Sequence, residues 1–110
     1  MKKMSKQQER RKENRITKGV ILMVDSLGYR DSGVTRNLSR HGMLVMAPMV
    51  LPVNSELQVA FTVQDKLIEL KGVVIWNCQY IGGFPADQQE MGICFEYPSH
   101  EYQLYVDQLR

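Results

Sequence analysis

The stretch Glu56-Leu57-Gln58-Val59-Ala60-Phe61-Thr62-Val63-Gln64-Asp65-Lys66-Leu67-Ile68-Glu69-Leu70-Lys71-Gly72-Val73-Val74-Ile75-Trp76 decides the fold. Leu57, Val59, Phe61 and Val63 alternate with Glu56, Gln58, Ala60 and Thr62, a period of two that buries one face of a strand and wets the other. Gln64, Asp65 and Lys66 make a short turn, after which Ile68, Leu70, Gly72, Val74 and Trp76 are expected to share one face of a longer strand. Two such strands joined by a short polar turn form a hairpin.

The same reading extends in both directions. Upstream, Ile16 to Val24 is largely β-branched or apolar and is closed by the turn formers Asp25, Ser26 and Gly28, so one strand is expected there. Gly33 to Leu38 leads through Ser39, Arg40, His41 and Gly42 into Met43 to Met46, two strands joined by a tight polar turn, and Pro48 and Pro52 then punctuate the chain. Downstream, Asn77 to Glu90 holds Gly82, Gly83 and Pro85 and reads as a long loop, while Met91 to Phe95 returns to strand. After Pro98 the period changes. Ser99 is a plausible N-cap, and Tyr102, Tyr105 or Val106, and Leu109 recur at helical spacing. About six short strands in hairpin order with one terminal helix predict a mainly β fold, a small antiparallel barrel whose helix covers an open end or edge.

At 110 residues the chain is sized for a single core, and 44% hydrophobic with 24% charged residues is ordinary globular usage. The longest apolar run, Val20 to Val24, falls far below the ~20 residues that cross a bilayer, and the basic N-terminus lacks the apolar stretch of an export signal. A cytoplasmic location is expected. Cys78 and Cys94 form no CxxC pair and are expected to be reduced packing residues, and His41 and His100 lack ligand spacing, so no metal is expected.

Charge is unevenly placed. Residues 1–18 hold eight Lys or Arg against Glu9 and Glu13, a balance of +6, whereas residues 19–110 hold six basic and ten acidic residues and stand at −4. Such a segment is either a solvated tail or an arm that binds phosphates. Residues 1–9 show no apolar pattern and are expected to form a mobile basic arm, with the folded domain occupying residues 10–110.

Catalytic signatures are absent from the sequence: it has no GxSxG elbow, no HExxH, no Walker loop and no GxGxxG, and both cysteines fall in or beside apolar strand runs, so no enzymatic activity is expected. Two patterns carry binding chemistry instead. Arg11 and Arg15 form an RxxxR at the edge of the folded body, and a guanidinium can grip a phosphate in two places or lie flat on a purine ring. Asn37-Leu38-Ser39-Arg40-His41-Gly42 fits [DN]xSxxG, where an amide, a hydroxyl and a Gly that permits a positive φ and a close backbone approach meet at a strand end. Each has a plainer explanation, an Arg-rich tail in one case and a polar turn with Ser39 bonding its own backbone in the other.

Together with Val74-x-Trp76 and Gly92-x-x-Phe95, these motifs resemble the PilZ-domain family from about Arg10 to the C-terminal helix, and both signature motifs match without a substitution. The resemblance implies a six-stranded antiparallel PilZ-type β-barrel with a C-terminal α-helix, acting as a receptor for the bacterial second messenger cyclic di-GMP and needing no cofactor. It assigns phosphate and guanine contacts to Arg11 and Arg15, and a guanine edge and its surroundings to Asn37, Ser39 and Gly42. Asn37 stands where the family often has Asp; either side chain accepts from a guanine N–H, but only the amide also donates. Arg10 adds a third guanidinium, from which uptake of two intercalated ligand molecules is expected. Trp76 either stacks near the site or is a core residue, and Arg40 and His41 are expected to face solvent. The arm is expected to order on binding and so to signal to a partner protein that the sequence does not identify. Two other readings are a small barrel that binds nucleic acid nonspecifically, against which stand an arm without aromatic residues and an acidic body, and a PilZ-like adaptor that binds no nucleotide.

Overall fold

A computed structural model describes residues 15–48, 51–78 and 89–109. Arg10, Arg11, the 1–9 arm and most of the expected 77–90 loop lie outside the described residues. The elements are β1 (Ile16–Thr17), β2 (Ile21–Ser26), β3 (Tyr29–Ser39), β4 (Gly42–Ala47), β5 (Glu56–Val63), β6 (Lys66–Cys78), β7 (Gln89–Cys94) and α1 (His100–Gln108). All pairings are antiparallel. Six strands run in the order β3-β2-β5-β6-β7-β4, and pairing of β3 with β4 closes them into a barrel.

The hairpin read first from the sequence is formed by β5 and β6, from Glu56 opposite Val73 to Val63 opposite Lys66. Its turn is Gln64-Asp65 alone, both at positive φ (49° and 68°), the backbone twist that suits a two-residue hairpin loop. Leu57, Val59, Phe61, Ile68, Leu70 and Val74 point inward and pack with Leu22, Val24, Leu38, Met43, Val45, Met91, Ile93 and Phe95 in the barrel interior.

Several boundaries differ from the sequence reading, each for a physical reason. The single strand expected at Ile16 to Val24 is two. Thr17 pairs with Asn37 and Ile21 with Val34, so β1 and β2 follow the same edge of β3 with one residue too many between them. Thr35 absorbs the excess: its buried hydroxyl donates to the Lys18 carbonyl (2.5 Å) and accepts from the Val20 amide (2.8 Å). The run at Gly33 to Leu38 extends to eleven residues in β3, because Tyr29 to Val34 pair with β2 and Val34 to Ser39 with β4. Asn77 and Cys78 complete β6, and Gln89 and Glu90 begin β7, so both ends of the expected loop are strand. Cys78 is exposed and does not serve as a packing residue, whereas Cys94 is half-buried.

The helix starts where the cap was expected, with the Ser99 hydroxyl accepting from the Tyr102 amide at 3.2 Å. Tyr102 and Val106 are buried in the core, and the Tyr102 ring meets Phe61 and Phe95 edge-on at 6.3 and 5.4 Å. The Tyr102 hydroxyl donates to the Ser39 carbonyl at 2.7 Å, with the Gly42 carbonyl at 3.3 Å. This contact ties the helix to the β3–β4 turn, in which neither Arg40 nor His41 has the left-handed backbone of the other two-residue loops. Arg40 does not simply face solvent: it donates to the Gln103 side chain at 2.8 Å and lies 3.7 Å from the Asp107 carboxylate. Tyr102→Phe removes the donor but leaves the ring, so we predict a loss of about 1–3 kcal/mol for stranding buried carbonyl groups, measurable by urea denaturation. A variant as stable as the parent would show that the hydroxyl does not secure the turn.

Candidate functional site

Two irregularities in the barrel wall build the site. Along β3 the register against β4 shifts between Thr35 and Asn37, and along β6 the register against β7 shifts between Val74 and Trp76. Each is a bulge with one extra residue, a device that re-aims side chains. Arg36 and Asn37 both leave the core between buried Thr35 and Leu38. Likewise Val74 is fully buried, while Ile75 and Trp76 are 48% and 41% exposed. Trp76 therefore departs from the inward face that strict alternation assigns to it, and it is not a core residue.

The pairings align these residues. Asn37 pairs with Leu44, Leu44 with Gly92, and Gly92 with Trp76, giving one row across β3, β4, β7 and β6 on the outer wall. Thr17 of β1 flanks Asn37 on its other side, which brings Arg15 over the row. The Arg15 guanidinium donates to Asn37 Oδ1 at 3.0 Å. Gly92 has no side chain in the middle of the row, and the Trp76 indole occupies that space: a Cβ at Gly92 would lie 2.5 Å from indole Nε1. Arg15, Asn37, Leu44, Trp76 and Gly92, with Met43, Ile75 and Ile93, line a shallow cleft of about 230 Å³. This is below the roughly 300–1,000 Å³ of pockets that enclose whole ligands. The described residues thus form a platform with one guanidinium, one amide and one aromatic face, suited to a planar base and an anion beside it.

Arg15, Asn37 and Trp76 are brought together; Ser39 and Gly42 are not in this cleft. Ser39 is 1% exposed, its hydroxyl 3.5 Å from the Gly42 carbonyl. Gly42 does not adopt a positive φ. Its need is close approach, since a Cβ there would stand 2.7 Å from the Ile93 carbonyl oxygen. Arg10 and Arg11 lie outside the described residues. Reading by sequence missed Arg36 and Glu90, which form an ion pair of 2.6 Å beside the row; only their separation of 54 residues hides it.

A larger groove of about 1050 Å³ lies elsewhere on the barrel, along β2, β5 and β6. Its charged lining is Asp25, Glu56, Glu69 and Glu96 against Lys71, a sign that repels phosphates. The smaller cleft has Arg15 in its lining and no acidic residue, a sign that suits an anion. Among the described residues no group of three or more His, Cys, Asp or Glu could hold a metal ion, and no helix is long and apolar enough to cross a membrane. Gly92→Ala tests the platform. The added methyl must displace the chain's single Trp, so the fluorescence emission of Trp76 is expected to shift while the barrel stays folded by circular dichroism. An unchanged emission spectrum would show that the indole does not rest on Gly92.

Comparison with known proteins places this geometry. No curated protein matches the chain. Among solved structures, the chain is similar to the inhibitor of motility MotI/DgrA of Bacillus subtilis, with a TM-score of 0.70 and 14% identity over 90% of this chain and 48% of that one. The chain thus spans about half the length of that protein. It is also similar to the PilZ domain of CeSA from a cellulose-synthesizing bacterium, with a TM-score of 0.62 and 18% identity over 87% of this chain and 93% of the other. At these identities the likeness is one of fold. The family model of the PilZ domain matches residues 9–109, nearly the whole sequence. With a closed six-stranded barrel, a C-terminal helix and that match, the chain belongs to the PilZ-domain family, a family of cyclic di-GMP-binding domains.

Proposed function

We propose that this protein is a cyclic di-GMP receptor that takes the ligand on the Arg15–Asn37–Trp76 platform and closes over it with the arginines that precede β1. The observation that carries this reading is the 3.0 Å bond from the Arg15 guanidinium to Asn37 Oδ1 beside a half-exposed indole. It preassembles a cation, a donor and acceptor, and a flat apolar face, which are the groups that a phosphate and a guanine require. Asn37 addresses the guanine edge. Ser39 and Gly42 support this corner from behind, Ser39 as a buried residue whose hydroxyl lies 3.5 Å from the Gly42 carbonyl and Gly42 by admitting the close approach of Ile93.

Arg10 and Arg11 supply the remaining positive charge. A platform of about 230 Å³ cannot surround a dinucleotide by itself, so the arm provides the other wall and orders as it does so. Three guanidiniums favour uptake of two intercalated ligand molecules, whose phosphates number four. Ordering of the arm changes the surface offered to a partner protein, and this is the output we assign to the domain. The role in motility named for the Bacillus subtilis protein belongs to a chain about twice as long and is not carried over.

Calorimetry with cyclic di-GMP, cyclic di-AMP and GTP tests the reading. Binding is expected for cyclic di-GMP at two molecules per chain. Arg11→Ala or Arg15→Ala should each cost roughly 1.5–3 kcal/mol, tenfold or more in affinity. Absence of binding heat, together with unmoved amide resonances at Arg15 and Asn37 at saturating ligand, would overturn the receptor assignment, and a stoichiometry of one would remove the intercalated pair. A steep fall of affinity with salt, with equal binding of polynucleotides, would favour the nucleic-acid reading instead.

A further inference from the structure

We propose that Arg36 and Glu90 are positioning residues for this site: their ion pair splints the β3 bulge and fixes the direction in which Asn37 presents its amide to Arg15. The proposal rests on the reading of Arg15 and Asn37 as the binding pair and adds two residues that lie outside both sequence motifs. Arg36 is the extra residue of the bulge, immediately before Asn37. A bulged residue is left out of the ladder on that side, so its peptide has more rotational freedom than its neighbours. On the other side its carbonyl accepts from the Lys18 amide at 3.3 Å, a long bond.

The side chain supplies the missing restraint. Glu90 stands on β7, opposite Met46 of β4 and Cys78 of β6. Since β4 lies between β3 and β7, the pair must bridge an intervening strand, two spacings of about 4.8 Å, a span suited to an Arg side chain. The Arg36 Nη1 to Glu90 Oε2 distance is 2.6 Å, with the Glu90 side chain 10% exposed and that of Arg36 54% exposed. A carboxylate so far withdrawn from water is costly without a partner, so it holds the guanidinium firmly. Glu90 also sits two residues before Gly92, on which the Trp76 indole rests. One ion pair thereby ties the Asn37 side of the cleft to its Trp76 side.

The test uses the full chain. Arg36→Met alone would strand the Glu90 carboxylate, so the informative variant is Arg36→Met with Glu90→Gln, which removes the tie and leaves no unpaired charge. In the unliganded protein the side-chain NH2 resonances of Asn37 are expected to shift and broaden in this variant. Affinity for cyclic di-GMP is expected to fall about fivefold, while in an Asn37→Ala background the same pair of changes should alter it less than about twofold. Arg36→Lys should restore part of the affinity. Unmoved Asn37 resonances in the unliganded protein, or losses that add in full to that of Asn37→Ala, would overturn the proposal. If the parent binds no cyclic di-GMP, the receptor reading fails by itself, and the unliganded Asn37 spectrum still decides this one. Should the double variant fold poorly, Glu90→Gln alone, which keeps an acceptor for Arg36 but no charge, is expected to broaden the same resonances, and its failure to do so counts equally against the splint.

Discussion

Closure of the barrel depends on β3 pairing along both of its edges. Eleven residues serve β2 with their first half and β4 with their second, and β1 joins beside Asn37 and Leu38. A strand that turns from one neighbour to the next around a small barrel has to bend, and it does so where a residue can be inserted without breaking the core. Thr35 fills the interior side of that bend with its hydroxyl, satisfying backbone groups of Lys18 and Val20. Arg36 and Asn37 are consequently turned outward together. The Arg15–Asn37 corner is a by-product of closing the ring.

The second bulge, in β6, obeys the same geometry on the far side of the row. By inserting Ile75 it keeps Val74 in the core and places Trp76 on the surface over Gly92. The two bulges face each other across β4 and β7, which are themselves regular between Gly42 and Ala47. A flat, paired floor with an irregular strand on either side gives a shallow cleft whose polar and aromatic walls are fixed by backbone hydrogen bonds. Electrostatics completes the division of labour. Residues 19–110 stand at −4 and residues 1–18 at +6, and Arg15 of the basic segment lines the cleft.

The helix reaches the same corner from behind. Tyr102 places its hydroxyl on the carbonyls of Ser39 and Gly42, and Arg40, inside the turn motif, holds Gln103 and lies beside Asp107. The motif therefore reaches the cleft through Asn37 and the helix through Arg40. Gly42 is required for the close approach of β7, where the Phe95 amide donates to the His41 carbonyl at 2.8 Å.

Much of this was legible in the chain because it is local. Alternation from Glu56 to Val74, the Gln64-Asp65 turn, the Ser99 cap and the helical spacing of Tyr102 and Val106 each depend on residues a few positions apart, whose periodicity follows from backbone geometry alone. Arg15 and Asn37 were legible as members of short motifs, and the charge asymmetry by counting. Sidedness at Trp76, the interruption at residues 18–20 and the engagement of Arg40 were not, because a bulge adds a residue without changing composition and reverses every side chain beyond it. Nor could the Arg36–Glu90 pair be read, since the two residues meet only after three strands are in register. By itself the sequence determined where most strands and the helix lie and that positive charge is concentrated at the front of the chain, both consequences of near-neighbour chemistry and of charge placement. Tertiary structure alone decided that Arg15, Asn37 and Trp76 share one cleft, because that depends on where the register slips in two strands distant in sequence.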